Sequence, residues 1–379
     1  MTTRSVFGRD PETGQGLEVQ FSNGLISSIK TVVNSPGPYL SSGLIDMQVN
    51  GFRGLDLNDG ALDADRVIAI TEMMHALGVT SFLPTLITAS PESLTSALSA
   101  IALARDKNAL VAHSIHFVHV EGPFVSALDG PRGAHPKDHV REMNLEEVLS
   151  WQKASGNLVG KITLSPHNVQ SPSFIRELVS RDILVSIGHT HASVEQIQAA
   201  VDAGARFSTH LGNGAAAHLP RHPNFIWAQL ADDRLTASFI TDGFHLSPET
   251  FKAMIRAKGL DHSVLVSDVA ALGGMPPGLY DQAIGGKVSV DADGRLSVFD
   301  TPYLAGAAKS LSQNIALAIE MADLTLAQGL KLATCNPGNF VGGRGKIKVG
   351  QPADLILFDW KTGDKELHMQ NVFVKGAPV

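Results

Sequence analysis

Apolar runs alternate with amphipathic stretches through most of the chain, and this alternation predicts its architecture. Eight short apolar runs between residues 43 and 268 are typical of strands, and segments between them, such as 91–107 and 192–204, are typical of helices. The eight runs are GLIDMQVN, VTSFLPTL, IHFVHVEG, VGKITLSPH, DILVSIGH, ARFSTH, LTASFITD and HSVLVSD. Repeated βα units favour a (β/α)8 TIM-like barrel. A dinucleotide-binding fold is disfavoured because no GxGxxG segment opens a helix after the first strand.

The two ends of the chain have a different pattern, with short strands and turns. The tripeptide SNG at 22–24 predicts a hairpin turn, and GKIKVGQPADLILFDW continues the strand pattern near the C-terminus. We therefore predict an α/β protein with a catalytic (β/α)8 barrel at residues 43–344. A small β-sandwich domain is predicted from both termini, at residues 1–42 and 345–379. The segment GGKVSVDADGRLSVF predicts an inserted hairpin with DADG as its turn.

Composition limits the classes of function. The chain has 379 residues, 44% hydrophobic content and a net charge of −7, which suits a large globular protein and argues against a nucleic-acid partner. The single cysteine, Cys335, excludes an internal disulfide framework and a cysteine-based metal cluster. The first residues lack the apolar stretch of a signal peptide, and no run has the length of a membrane span. We expect a cytoplasmic protein with no membrane partner.

Four of the predicted strands end in residues that bind metals or transfer protons. These residues are Glu121, His189, His210 and Asp268. Any one of these residues alone could be an ordinary polar residue at the rim of a barrel. Four of them at equivalent positions favour an active site, because the carboxyl ends of the barrel strands surround one mouth. A glutamate and two histidines supply the three protein ligands of a catalytic metal site, with a fourth position left open. Asp268 is then the candidate general base.

Two further histidines lie on loops beside these strand ends. His135, in the loop after Glu121, is a candidate donor to a developing oxyanion, and His245, after the seventh strand, is a candidate substrate contact. On the pattern alone, ordinary loop histidines fit both positions equally well. We interpret other histidines, such as His116, His119, His167 and His191, as structural.

The first strand, GLIDMQVNG, resembles the opening of the amidohydrolase superfamily. In that superfamily two metal-binding histidines usually occupy the positions of Gln48 and Asn50. Neutral amides are poor zinc ligands, so we expect a variant with one metal ion. The ordered motifs QVNG, HVEGPF, SIGHT, STHLGNG, TDGFH, LVSD and YLAGA, with the GKIKVGQPADLILFD tail, resemble the N-acetylglucosamine-6-phosphate deacetylase family over nearly the whole chain.

This resemblance implies a set of roles. Glu121, His189 and His210 would bind one divalent ion per subunit, with Zn²⁺ first and Fe²⁺, Mn²⁺ or Co²⁺ as alternatives. Asp268 would be the catalytic acid and base, and His135 would polarise the acetyl carbonyl. The substrate would be a phosphorylated amino sugar. The resemblance also implies a homodimer, in which the phosphate-binding Arg221 reaches the neighbouring active site. The implied substrate contacts are Ala134, Asn213, Gly214, Arg221, Asp242, Gly243, Phe244, His245, Leu304, Ala305 and Gly306.

The chain departs from the family where substrate is recognised. The family's Tyr-Asn-Ala-Met segment is replaced by Gly-Asn-Gly-Ala at 212–215, and Ala307 stands where a serine is usual. Three alternatives therefore stay open. The chain could act on another N-acetyl amino sugar, or on an unphosphorylated or cyclic amide, or it could be a non-catalytic barrel. The last alternative predicts loss of ligands or base, yet all four residues are present.

Overall fold

The computed structural model describes residues 3–33, 37–282, 286–301 and 303–379. Residues 1–2 and 34–36 of the predicted terminal domain, and Gly285 of the predicted hairpin, lie outside these ranges. The strands are β1 (Arg4–Arg9), β2 (Gly16–Ser22), β3 (Leu25–Val32), β4 (Tyr39–Ser42), β5 (Leu44–Val49), β6 (Gly51–Phe52), β7 (Leu55–Asp56), β8 (Val79–Ile87), β9 (Val118–Glu121), β10 (Val159–Leu164), β11 (Leu184–Ile187), β12 (Phe207–Ser208), β13 (Thr236–Phe239), β14 (Ser263–Leu265), β15 (Gly278–Gln282), β16 (Gly286–Val290), β17 (Leu296–Val298), β18 (Leu355–Asp359), β19 (His368–Val374) and β20 (Ala377–Pro378). The α-helices are α1 (Ala64–Ala76), α2 (Pro91–Lys107), α3 (Ala109–Ser114), α4 (Leu145–Ser155), α5 (Ser171–Val179), α6 (Val194–Asp202), α7 (Phe225–Ala231), α8 (Pro248–Lys258), α9 (Leu311–Ala322), α10 (Leu326–Leu332) and α11 (Cys335–Gly338).

Eight parallel strands form the barrel, in the order β5, β8, β9, β10, β11, β12, β13 and β14. The ring is closed between its first and last strands by a parallel bridge from Val49 to Val269. The Asp268 amide donates to the Gln48 carbonyl at 3.0 Å, and the Asn50 amide donates to the Val269 carbonyl at 2.9 Å. All eight strands predicted from the sequence are present, so the barrel is confirmed.

The helices begin and end where the sequence signals favour it. Helix α2 has Pro91 in its first turn, and the Ser90 side chain accepts a hydrogen bond from the Ser93 amide. Helix α6 begins with a capping box formed by Ser193 and Gln196. Gly204, two residues after the end of this helix at Asp202, has a φ of +116°, which suits a glycine after a helix C-terminus. These local signals place α2 and α6 inside the two segments predicted to be helical.

Both termini contribute to one mixed sheet with the order β20, β19, β18, β4, β1, β2 and β3. The β2–β3 hairpin turns at Asn23 and Gly24, whose φ angles of 53° and 78° suit a two-residue turn. The start of β3 meets the segment leading into β18, where the Ile26 amide donates to the Gln351 carbonyl. The sheet therefore curls around a core of its own, as expected for a small sandwich-like domain. That core contains Val6, Val19, Phe21, Ile26, Leu40, Ala353, Leu355 and Leu357. The division of the chain at residues 42 and 345 stays a proposal.

A smaller antiparallel sheet of β15, β16 and β17 is inserted after the last barrel strand. The β16–β17 hairpin, with Asp291 to Gly294 as its turn, is the one predicted from the sequence. Strand β15 was not predicted. We call this sheet the flap, because three of its residues line the cavity described below. Within the described residues, no helix combines the length and apolar character needed to cross a membrane.

Candidate active site

Three predicted ligands meet at the carboxyl end of the barrel. Glu121 is the last residue of β9, and His189 and His210 follow β11 and β12. Oε1 of Glu121 lies 3.0 Å from Nε2 of His210 and 3.2 Å from Nε2 of His189, and the two histidine nitrogens are 3.1 Å apart. All three side chains are buried. Three donor atoms that converge at such distances fit the coordination sphere of one small cation.

The backbone is unusual at these strand ends. His189, His210 and Asp268 have φ angles of 47°, 29° and 51°. Non-glycine residues adopt positive φ rarely, and each such residue costs on the order of 1–3 kcal/mol. The left-handed conformation turns the chain sharply at the end of three different strands. Neither composition nor spacing indicates this conformation.

Neighbouring groups orient two of the three predicted ligands, His189 and Glu121. The Nδ1 atom of His189 lies 2.9 Å from the Pro131 carbonyl, to which it can only donate, so Nε2 is left as the free lone pair. Nε2 of Gln48 donates to Oε2 of Glu121 at 3.0 Å, which leaves Oε1 for a ligand. Nδ1 of His210 is buried without a hydrogen-bond partner.

A line of buried polar side chains precedes the predicted ligands along the barrel strands. His119 precedes Glu121 by two residues and contacts Thr85 through Nδ1 and Thr163 through Nε2, at 3.2 and 2.7 Å. The Thr163 hydroxyl lies 2.7 Å from that of Thr209, which precedes His210. His119 therefore supports the strands that carry two of the ligands, in agreement with its structural assignment.

The electrostatics of the cluster favour a bound cation. Burial raises the pKa of Glu121, but hydrogen bonds and charge from His189 and His210 outweigh it and hold that pKa well below its ordinary value. Burial lowers the pKa of His210, and the hydrogen bond and charge of Glu121 outweigh burial and raise it. The donor set is one ionised carboxylate and two imidazoles. This set suits Zn²⁺ and related divalent ions. The residues present therefore fit a divalent metal site.

Asp268, the predicted base, lies at the same mouth and is half-buried. Oδ1 accepts a hydrogen bond of 2.7 Å from Nδ2 of Asn50. Burial and the charge of Glu121 raise the pKa of Asp268 to about 6, while the bond from Asn50 lowers it. A carboxylate with a pKa near neutrality is suited to accept a proton and return it. From the sequence, Asn50 is recognisable only as a residue that replaces a metal-binding histidine, and its contact with Asp268 was not predicted.

His135 lies against the metal ligands. Its ring meets that of His189 edge to face, with 4.1 Å between the centroids, and its Nδ1 lies 2.8 Å from the Thr88 hydroxyl. The Arg132 guanidinium donates to the His135 carbonyl at 2.8 Å and fixes the loop. Burial and His189 hold the pKa of His135 well below its ordinary value, so the ring is neutral at pH 7 and can donate one N–H.

His245 is held by a carboxylate of its own loop. Nδ1 of His245 lies 2.7 Å from Oδ2 of Asp242, and Oδ1 of Asp242 accepts the amides of Phe244 and His245. His245 lies on the wall of the cavity, whereas Asp242, Gly243 and Phe244 are not among its lining residues. Asp242 acts here by positioning His245.

The ligands, the base and both histidines line one cavity of about 280 Å³. Seven of the predicted substrate contacts are on its wall, namely Ala134, Asn213, Gly214, His245, Leu304, Ala305 and Gly306. Arg221 is exposed and does not line the cavity. The remaining wall was not predicted from the sequence, and it comprises Asn50, Asp56, Asn58, Ile87, Gly133, Ile240, Ala270, Ala271, Leu272, Gln282, Val288 and Leu296. The flap contributes Gln282, Val288 and Leu296, and its hairpin turn was visible in the sequence although its place over the barrel was not.

Comparison with known proteins agrees with this geometry. Residues 39–379 match the model of the amidohydrolase family. The chain belongs to the amidohydrolase family. This amidohydrolase is 30% identical over 323 residues to N-acetylglucosamine-6-phosphate deacetylase of Bacillus subtilis, covering 84% of this chain and 80% of the relative. It is 32% identical over 372 residues to N-acetylgalactosamine-6-phosphate deacetylase of a Shewanella species, covering 94% and 90% of the two chains.

Solved structures of similar proteins share the whole fold of this amidohydrolase. A mutant N-acetyl-D-glucosamine-6-phosphate deacetylase from Mycobacterium smegmatis, in complex with N-acetyl-D-glucosamine-6-phosphate, superposes with a TM-score of 0.87 at 25% identity. That match covers 100% of this chain and 99% of the other. The corresponding enzyme of Thermotoga maritima gives a TM-score of 0.84 at 26% identity, again over 100% and 99% of the chains.

Proposed function

We propose that this amidohydrolase cleaves the acetamide of N-acetylglucosamine 6-phosphate to glucosamine 6-phosphate and acetate. The observation that carries this proposal is the convergence of Glu121, His189 and His210 with Asp268 in one cavity, with Asp268 held by Asn50. The similarity to several deacetylases of phosphorylated N-acetyl amino sugars, over most of the chain, supports the same substrate class.

The three ligands would hold one divalent ion, and we infer Zn²⁺ because a carboxylate and two imidazoles with an open position are typical of catalytic zinc. When bound, such an ion lowers the pKa of water and polarises a carbonyl. Asp268 would take a proton from the attacking water and return it to the leaving amine. The neutral ring of His135, oriented by Thr88, would donate to the acetyl oxygen as negative charge develops there.

Recognition of the phosphate is favoured by a cationic side chain. Among the described residues of the wall there is no lysine and no arginine. Arg221 is exposed on the loop after β12, which also carries Asn213 and Gly214 to the cavity. We infer that Arg221 binds the phosphate in a homodimer, reaching the cavity of the other subunit. Its planar fork of donors suits two phosphate oxygens.

N-acetylgalactosamine 6-phosphate is the second candidate substrate. The Shewanella relative, named for this epimer, is 32% identical over 94% of the chain. The two sugars differ only in the orientation of one ring hydroxyl. The metal chemistry is therefore the same for both.

The test is acetate release by the metal-loaded protein from four sugars, namely both N-acetyl hexosamines with and without the 6-phosphate. We expect turnover of at least one phosphorylated sugar, with kcat/KM well above that of its unphosphorylated counterpart. Asp268→Asn, purified in the same way, is the control for a contaminating deacetylase. No acetate from any of the four would refute the proposed function.

A further inference from the structure

Asp56 is a carboxylate of the cavity wall that neither the metal ligands nor the base uses. The wall contains three carboxylates among its described residues, Asp56, Glu121 and Asp268. Glu121 belongs to the metal cluster, and Asp268 is bound by Asn50. Asp56 lies on β7, in the loop after the first barrel strand, and has no part in the chemistry of the amide.

The hairpin that carries Asp56 is fixed to the loop that follows Asp268. Asp56 pairs with Gly51 across the β6–β7 ribbon. The amides of Arg53 and Gly54 donate to the carbonyls of Gly273 and Ala271, at 2.8 and 2.7 Å. At Gly51 a side chain would meet a backbone carbonyl, because a Cβ there would lie 2.3 Å from the oxygen of Leu55. Asp56 is therefore held in one position relative to the base.

Only part of the Asp56 carboxylate is used within the protein. Oδ1 accepts the Asn58 amide at 2.8 Å. In the described part of the chain, Oδ2 has no hydrogen-bond partner. Burial and the charge of Asp59 raise the pKa of Asp56 to about 6, although the bond from Asn58 lowers it. At neutral pH the group is thus an ionised acceptor on the cavity wall without a lysine or arginine beside it.

Such a group selects between the two ends of a sugar phosphate. It repels a phosphate dianion, which brings only acceptors, and it attracts hydroxyl groups, which can donate. Asn213 and His245 lie on the loops after β12 and β13, three and two strands away from β5 around the ring. Repulsion from Asp56 therefore directs an anionic group away from the β6–β7 hairpin, and Asn213 and His245 lie on a part of the wall that can receive it.

We propose that Asp56 is a substrate-binding residue that accepts hydrogen bonds from ring hydroxyls of the amino sugar and excludes the phosphate from its side of the cavity. This inference rests on the proposed function. It assigns the sugar a direction in the cavity, with its hydroxyl edge at the β6–β7 hairpin and its phosphate on the side of Asn213 and His245.

The experiment compares wild type, Asp56→Ala and Asp56→Asn on N-acetylglucosamine 6-phosphate and on its 3-deoxy and 4-deoxy analogues. Hydrogen bonds to charged groups contribute about 1.5–3 kcal/mol, so Asp56→Ala should raise KM roughly ten- to hundredfold. We expect kcat to change less than about threefold, because the base and the metal ligands are untouched. For the wild type, KM for at least one deoxy analogue should exceed KM for the parent sugar by a similar factor. Asp56→Ala should not raise KM for that analogue any further.

Asp65→Asn is the matched control, since Asp65 is an exposed aspartate of α1 that pairs with Lys107 at 3.4 Å and does not line the cavity. Its kinetics should equal those of the wild type. Asp56→Asn preserves the shape of the side chain and can still accept the Asn58 amide through Oδ1, so it provides the measurement if Asp56→Ala does not fold. Inorganic phosphate should inhibit Asp56→Asn more strongly than wild type, because the repelling charge is removed.

Each outcome is informative. An active wild type whose KM and phosphate inhibition are unchanged by both Asp56 substitutions would refute the role of Asp56 and leave the proposed function intact. Equal losses on the parent sugar and on both deoxy analogues would show that Asp56 is structural. A wild type inactive on every sugar would refute the proposed function itself, before any variant is compared.

Discussion

Nδ2 of Asn50 donates a hydrogen bond of 2.7 Å to Oδ1 of Asp268, across 218 positions of sequence. The bond spans the seam at which the first and last barrel strands meet. It fixes the orientation of the base and leaves Oδ2 of Asp268 for a proton. Asn50→Leu should therefore lower kcat by roughly ten- to hundredfold, the worth of one hydrogen bond to a charged group.

The measurement for this variant is kcat, KM and metal content together. One equivalent of metal should remain, because Asn50 does not contact the ligands. Asn50→Gln retains an amide donor and should recover part of the loss. An unchanged kcat in Asn50→Leu would show that Asp268 needs no support from the first strand.

Asp268→Asn should retain the metal and the substrate affinity and lose most of the turnover. An amide cannot accept the proton, and general acid–base groups typically contribute about 10²–10⁴-fold. Single-turnover rates and metal analysis distinguish this result from misfolding. Near-normal turnover would mean that another group is the base.

Metal analysis of protein purified without added metal should give close to one equivalent per chain. The amides of Gln48 and Asn50 already donate to Glu121 and Asp268, so they offer no imidazole pair for a second ion. His189→Asn should lose metal and activity together, because it removes one of three ligands. Two tightly held equivalents in the fully active wild type would contradict this prediction.

Arg221→Ala should weaken the phosphorylated sugar and leave its unphosphorylated counterpart nearly unchanged. The loss expected for one charged hydrogen-bonding group is roughly ten- to hundredfold in kcat/KM. Arg181→Ala, which removes another exposed arginine, paired with Glu177, is the matched control. Equal losses on both sugars would show that Arg221 is structural and would direct attention to neutral amides.

Stability should depend on pH through Asp46, which is buried in the barrel with Oδ1 accepting the amides of Gln48 and Ser267. Burial raises the pKa of Asp46 from 3.8 to about 7. Between those values the folded chain binds more protons than the unfolded chain, so the free energy of unfolding falls as pH rises. Asp46→Asn removes this dependence. The free energy of unfolding of the variant, relative to that of the wild type, should therefore rise by up to about 3 kcal/mol between pH 5 and pH 8.

Urea unfolding of metal-loaded wild type and Asp46→Asn at the two pH values measures this gain. Asp65→Asn, an exposed aspartate on α1, serves as the control. A constant difference between Asp46→Asn and wild type at both pH values would show that Asp46 titrates normally in the folded state.

Local signals were sufficient for the barrel and for the convergence of Glu121, His189 and His210. Each barrel strand is an apolar run of its own, and Glu121, His189 and His210 each follow such a run, so parallel strands alone bring them to one mouth. The Asn23–Gly24 turn and the capping box at Ser193 are likewise determined by segments of only a few residues.

The missed features all depend on contacts between distant segments. Asn50 meets Asp268 only once the ring closes, and Asp56 reaches the cavity only because its hairpin is fixed to the loop at 269–273. Apolar and polar residues alternate in the strands that carry Val288 and Leu296, as in an ordinary hairpin. Nothing in the local sequence indicates that these two residues line the cavity. These positions are determined by tertiary contacts, which the periodicity of apolar residues along the sequence does not predict.

The positive φ angles of His189, His210 and Asp268 would connect the supply of a bound metal with the lifetime of the folded chain. Each of these residues holds a backbone conformation that an L-residue avoids, and two of them, His189 and His210, belong to the cluster that fits a divalent ion. A bound ion stabilises the native state by mass action and offsets that conformational cost, whereas metal-free chains retain it in full. In metal-poor surroundings the newly made protein would thus open and be degraded sooner, so its abundance would follow the availability of the ion.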